Sequence, residues 1–128
     1  MTKYADQKMV ARGGSFLVNM TTTPKTEMYF QAVKAGVTNG HYFSVAPSIL
    51  RDPDQRRVAL SVPRDRIVLE SDSPALGPVK GQRNTPLNLL KTVEVLSELW
   101  DVSAEQVAEI TTTNALRLFP KLKRFVKF

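Results

Sequence analysis

The sequence contains no cysteine, which excludes a disulfide framework, a thiolate metal site and a cysteine nucleophile. It also lacks any long apolar run, since nothing in it approaches the roughly 20 apolar residues that span a bilayer. The opening residues, "MTKYADQKMVARGG", carry none of the apolar core that a secretory signal needs. The expectation is a cytoplasmic or nuclear location, not secretion, and no membrane partner. "NMT" at Asn19 has the form of a glycosylation sequon, but without an export signal it is read as coincidence. No internal repeat and no low-complexity segment stand out. Acids are missing from the closing "PKLKRFVKF", which holds Lys121, Lys123, Arg124 and Lys127.

What is present describes an ordinary globular chain. Its 128 residues suffice for one domain with a core. Hydrophobic residues make up 42% and charged residues 23%, unlike a disordered segment. The net charge of +6 and a pI near 9.8 favour polyanionic partners as a class. The helix-like stretch before the tail is rich in glutamate, however, so residues 123–128 are read as a solvated basic tail.

The hydrophobic period switches several times along the chain. "SFLVNM" (15–20) is a strand candidate. "PKTEMYFQAVKAG" sets Met28, Tyr29, Ala32 and Val33 at helical spacing, with Gly36 as the expected C-cap. "HYFSVA" (41–46) reads as a second strand between "TNG" and Pro47. In "RDPDQRRVAL", Asp52 is an N-cap, Pro53 the first helical residue, and Gln55 the closing member of a capping box. Val62-Pro63 ends that helix, and "RIVLE" (66–70) is a third strand. Strand, helix and strand within about 30 residues make a βαβ unit with parallel strands and a right-handed crossover. Pro86 then opens a helix with Leu89, Val93, Leu96 and Trp100 on its inner face and Glu94 and Glu98 toward solvent. Ser103 and Gln106 form a capping box for "AEQVAEI", and "TTTNALRLF" is a last short helix stopped by Pro120. Trp100 and Phe119 are assigned to the core.

Two carboxylates, Glu70 and Asp72, stand two apart at the end of the third strand, just before Pro74. Side chains two apart on a strand share a face. Both acids are therefore expected to aim beyond the C-terminal end of the strand, where parallel α/β architectures collect ligands and catalytic groups. The loop "ALGPVKGQRN" is long enough to fold over that end. An alternative reading of the same residue types pairs the acids with Arg83 and uses them to cap the helix opening at Pro86.

A wider pattern favours the first reading. "LESDSPALGPVKGQRNTP", then a helix, then "VSAEQVAEITTTNALRLFPKL" resembles the C-terminal part of the TatD-family metal-dependent deoxyribonucleases. Within that family, "DSPALGP" and "NALRLFPKL" look most like the third animal paralogue. The resemblance runs from about residue 35 to residue 122, leaving 1–34 as a divergent segment with room for one βα unit. It implies an α/β fold, the C-terminal portion of a TIM-like (β/α) barrel with three parallel strands plus C-terminal helices. It further implies a hydrolase that cuts phosphodiesters of a DNA substrate, 3′–5′ exonuclease in type, with divalent Mg, Mn or Zn. The family's "E-T-D-S-P" falls on Glu70, Ser71, Asp72, Ser73 and Pro74. Asp72 is thereby implied as the catalytic and metal-binding aspartate, and Glu70 as the residue fixing Asp72 or its loop. Arg83 and Asn84 match the family's "R-N-E-P", implying a loop-fixing or phosphate-side role, while Thr85 stands in place of the glutamate. Asn114 falls in the family's "T-x-N-A" helix start and is read as structural.

The family's remaining metal ligands have no counterpart in the pattern. The one histidine, His41, opens its strand rather than ending it, and a surface or hinge position is expected. Where the family's last metal histidine ends a strand, alignment places Asn19 or Met20. A complete barrel typically needs about 250 residues. The expectation is a truncated lineage member inactive alone, able to self-associate through exposed strand edges. A non-catalytic interaction module and a small basic nucleic-acid-binding protein are the alternatives.

Overall fold

The apolar runs assemble into one sheet. The computed structural model describes residues 9–12, 15–19 and 27–125, with side chains from Phe30 onward. Four strands lie in the order β1 (Met9–Arg12), β2 (Ser15–Asn19), β3 (Tyr42–Val45), β4 (Ile67–Leu69). β2, β3 and β4 are parallel, with Leu17 opposite Tyr42 and Phe43 opposite Ile67. β1 corrects the expectation of three strands, for it runs antiparallel along β2 with Val10 opposite Leu17 and Arg12 opposite Ser15. Four residues are too few for periodicity to register, although Gly13-Gly14 between two apolar runs is a hairpin signal.

The helices follow their local chemistry, with four corrections. α1 (Glu27–Thr38) joins β2 to β3 and runs past Gly36. Gly36 is not a cap but a contact point, where a Cβ would lie 2.9 Å from the Phe43 ring. The turn that follows uses Gly40, at φ +75°. α2 (Pro53–Ser61) joins β3 to β4, and Asp52 caps it by accepting from the backbone N–H of Asp54 (2.9 Å) and Gln55 (3.4 Å). Gln55 does not close a capping box. Its buried amide donates to Ser48 Oγ (2.9 Å) and Asp52 Oδ2 (3.1 Å), because the 3-10 turn Pro47–Leu50 brings a buried hydroxyl within reach.

Beyond β4, a 3-10 turn (Pro86–Asn88) leads into α3 (Leu89–Trp100). Leu96 and Trp100 are buried as expected, but Thr92 and Val95 join them while Leu89 and Val93 are half-buried. The buried stripe is rotated because α3 packs against both the 47–50 turn and the following helix. That helix, α4 (Ala104–Leu118), is continuous rather than two pieces. The Ser103–Gln106 capping box starts it, with bonds of 3.1 and 2.8 Å. Thr111 bonds within the helix to Val107 O at 2.9 Å, and Asn114 turns its amide toward the sheet, so neither polar residue interrupts the backbone ladder.

Both faces of β3 and β4 are covered, as near-continuous apolar strands require. Phe43, Val45 and Ile67 pack with Val58, Leu96, Trp100 and Val107 on one face. Tyr42 and Val68 meet Leu118 on the other. Among the described residues, no helix is long and apolar enough to cross a membrane.

Candidate functional site

β3 and β4 deliver two connections to the same end of the sheet: residues 46–51 after β3, and the loop 70–85 after β4. The ladder continues one residue beyond β4, for Glu70 N donates to Val45 O at 2.9 Å. Ser44 lies opposite Val68 in the register, and Glu70 follows two residues later on the same face. The Ser44 hydroxyl donates to the Glu70 carboxylate. A half-buried carboxylate is thus held by a buried hydroxyl of the neighbouring strand, which compensates part of its lost hydration.

Asp72 is placed differently. Its backbone is left-handed at φ 53°, a conformation that aspartate tolerates better than most residues. Its carbonyl accepts from Ala75 N at 2.9 Å, and its side chain is exposed. Strand alternation therefore stops at Glu70 and does not aim the two acids together, as the sequence pattern suggests. Asp72 stands at the first turn of the loop.

The loop is closed by Asn84, which is 1% exposed. Its Nδ2 donates to Ser71 O (2.5 Å) and Ala75 O (2.8 Å), and its backbone N–H donates to Pro74 O (2.9 Å). Its Oδ1 accepts from Asn88 Nδ2 at 2.9 Å. Gly77 packs on it so closely that a Cβ would lie 3.0 Å from Asn84 Cβ. Arg51 adds a bond from the neighbouring connection, Nε to Gly77 O at 3.0 Å. Arg83 is exposed and makes no hydrogen bond to another described residue. The pairing of acids with Arg83 is not what forms. Nor do the acids cap the helix, whose opening turn follows Thr85 with no side-chain cap.

The other candidates lie elsewhere. His41 precedes β3 at the opposite end of the sheet, where burial lowers its pKa below the ordinary imidazole value. Asn114 is structural, its Nδ2 donating to Arg64 O and Ile67 O at 2.7 Å each. Asn19 ends β2, while its side chain and Met20 lie outside what is described. Among the described residues, no group of three or more His, Asp or Glu side chains is arranged to hold a metal ion. Those residues do not by themselves complete a divalent-metal centre, since Glu70 is engaged by Ser44 and Asp72 alone is one carboxylate, fewer oxygen ligands than such an ion needs. Sequence reading missed Ser44 and Arg51. The alternation of "HYFSVA" sets Ser44 opposite in face to Phe43 and Val45, but no local signal marks Arg51.

Comparison with known proteins agrees with this architecture. The profile of the family "TatD related DNase" matches residues 7–120. Human "Deoxyribonuclease TATDN3" is 44% identical over 92 residues, which cover 72% of this chain and 34% of the human protein. The Bacillus subtilis "Uncharacterized metal-dependent hydrolase YabD" is 39% identical over 66 residues, 50% of this chain and 26% of that one. The chain thus spans about a third or less of the length of these relatives. The crystal structure of the Escherichia coli TatD homolog YJJV superposes with a TM-score of 0.65 over 80% of this chain and 39% of that one. At 24% identity it bears on the fold alone, an α/β fold. The strands, the Asp72 loop and the matched span together make this chain a member of the TatD-related deoxyribonuclease family.

Proposed function

We propose that the chain is the C-terminal part of a divalent-metal-dependent phosphodiesterase acting on DNA with 3′–5′ exonuclease polarity, and that these residues alone do not cleave. One observation carries the reading. Asp72 stands exposed immediately past the C-terminal end of β4, on a loop that Asn84 holds shut. In parallel α/β folds that end gathers the reacting groups. Asp72 is the metal-ligand and proton-accepting candidate. Glu70, held on Ser44, and Asn84 shape the loop behind it, and Arg83 is available to a phosphate. Mg, Mn or Zn would need further ligands supplied by residues beyond those described.

In this reading the parallel strands are an open arc of a TIM-like barrel, and the outer edges of β1 and β4 pair with the rest of such a barrel or with another copy of the chain. Light scattering of the purified chain tests that part, and a monodisperse monomer with a sharp thermal transition would sink it. The chemistry is tested by nucleotide release from a labelled DNA oligomer with Mg²⁺ or Mn²⁺, with and without chelator. The expected result is no cleavage above background, and no change in Asp72→Asn. The matching substitution in a full-length relative should abolish its turnover. Chelator-sensitive cleavage by this chain, lost in Asp72→Asn, would overturn the claim of inactivity.

A further inference from the structure

Arg51 ends the 3-10 turn after β3, its backbone N–H on Ser48 O at 3.0 Å. From there its Nε reaches the next connection and donates to Gly77 O at 3.0 Å. The bonds of Asn84 close the loop on itself, at Ser71, Pro74 and Ala75. Among the described residues, the Arg51 bond is therefore what ties the outer half of the loop, residues 75–83, to the β3–α2 connection. A guanidinium has five N–H donors in a rigid plane, and only Nε is used here. Arg51 is exposed, and its Nη1 and Nη2 have no hydrogen-bond partner among the described residues. Nor does any described carboxylate pair with it, the Asp72 carboxylate on the adjoining loop included. One side of the fork is anchored, so the other side is oriented and open to solvent.

We infer that Arg51 has two roles: it positions the Asp72 loop through Nε, and it binds a backbone phosphate oxygen of nucleic acid through its terminal nitrogens. This rests on the reading that nucleic acid approaches the C-terminal end of the strands. An anchored planar fork is suited to two oxygens of one phosphate, where a mobile lysine offers a point charge. The loop it holds adds exposed Lys80 and Arg83, so an anion arriving there meets cations from two connections.

The test uses the full 128-residue chain, without metal and with chelator. Arg51→Gln, Arg51→Lys and the control Arg57→Gln are compared with the wild type. Arg57 is an exposed arginine of α2 that lies over the Phe30 ring, away from this loop. Amide hydrogen exchange reports the loop, and anisotropy of a short labelled single-stranded DNA over a salt series reports phosphate contact. Arg51→Gln should speed exchange across residues 71–83 and reduce the slope of log affinity against log salt by about 0.7, the loss of one single-strand phosphate contact. Arg51→Lys should keep the slope while still speeding exchange, and Arg57→Gln should change neither. A slope for Arg51→Gln equal to that of Arg57→Gln, or no DNA binding by the wild type at low salt, would overturn the phosphate role. Unchanged loop exchange in both Arg51 variants would overturn the positioning role. Neither readout involves cleavage. Failure here leaves the Asp72 reading standing, and cleavage by the isolated chain would leave Arg51 standing.

Discussion

Asn84 and Asn114 are the same chemical clamp in two settings, each 1% exposed and each holding two backbone carbonyls through Nδ2. Asn114 reaches Arg64 O and Ile67 O, 50 and 47 positions away, and so joins α4 to the start of β4. Arg117 reinforces that joint, its Nη1 lying 3.2 Å from Asn114 Oδ1 and 3.0 Å from Asp65 O. Asn84 reaches Ser71 O and Ala75 O, only 13 and 9 positions away, and staples a surface loop to itself. The first clamp is part of the core, between buried Ile67 and Leu118. The second is buried beneath a loop whose residues 79–83 are all exposed. One end of the sheet is therefore joined to α4 by long-range contacts, while the other presents a loop held mainly by bonds within itself, the kind of segment expected to open locally. That division matches parallel α/β folds in general, in which ligands gather at the C-terminal end of the strands and the other end carries stability.

Perturbations of decreasing size test the division. The largest expected loss is from Leu96→Ala, which removes a fully buried side chain that packs against the sheet and should cost about 2–5 kcal/mol in denaturant unfolding. A cost within surface scatter would show that α3 is not part of the core, and the comparison would lose its reference. Asn114→Ala should follow at about 1–3 kcal/mol, since two carbonyls lose their donor inside the core. Asn84→Ala removes the same number of side-chain donations but should lower global stability by less. Its signature is faster amide exchange confined to residues 71–85. Equal global losses for the two asparagines would break the comparison outright.

The smallest effect concerns pH. Burial depresses the pKa of His41, so the folded chain binds that proton less well than the unfolded chain does. Its influence is absent above the ordinary imidazole value of about 6.5, and stability declines as pH falls through the range below it. His41→Gln should flatten that segment of the stability profile without altering exchange in the loop. A steeper acid decline in His41→Gln would reverse the assigned sign.

Much of the frame was legible because its causes are local. Asp52 before Pro53 and Ser103 before Gln106 start their helices through bonds spanning three residues or fewer, and such spacing is written in the chain. The short crossovers and apolar runs announced parallel strands, and the "DSP" motif placed Asp72 just beyond one of them. The backbone at Asp72 was not legible, because left-handed geometry in the turn replaces the alternation that holds within a strand. The continuity of α4 through Asn114 was equally hidden, since it depends on carbonyls of the sheet accepting the amide that would otherwise disturb the helix. Two contacts that shape the site, Ser44 with Glu70 and Arg51 with Gly77, each join residues 26 positions apart. Composition, periodicity and caps determined where the helices and the three parallel strands lie, though not β1, and on which loop the acid stands. Only the tertiary structure decided what holds that loop, because a side chain's partner across such a separation is set by strand register and loop path, which local patterns do not encode.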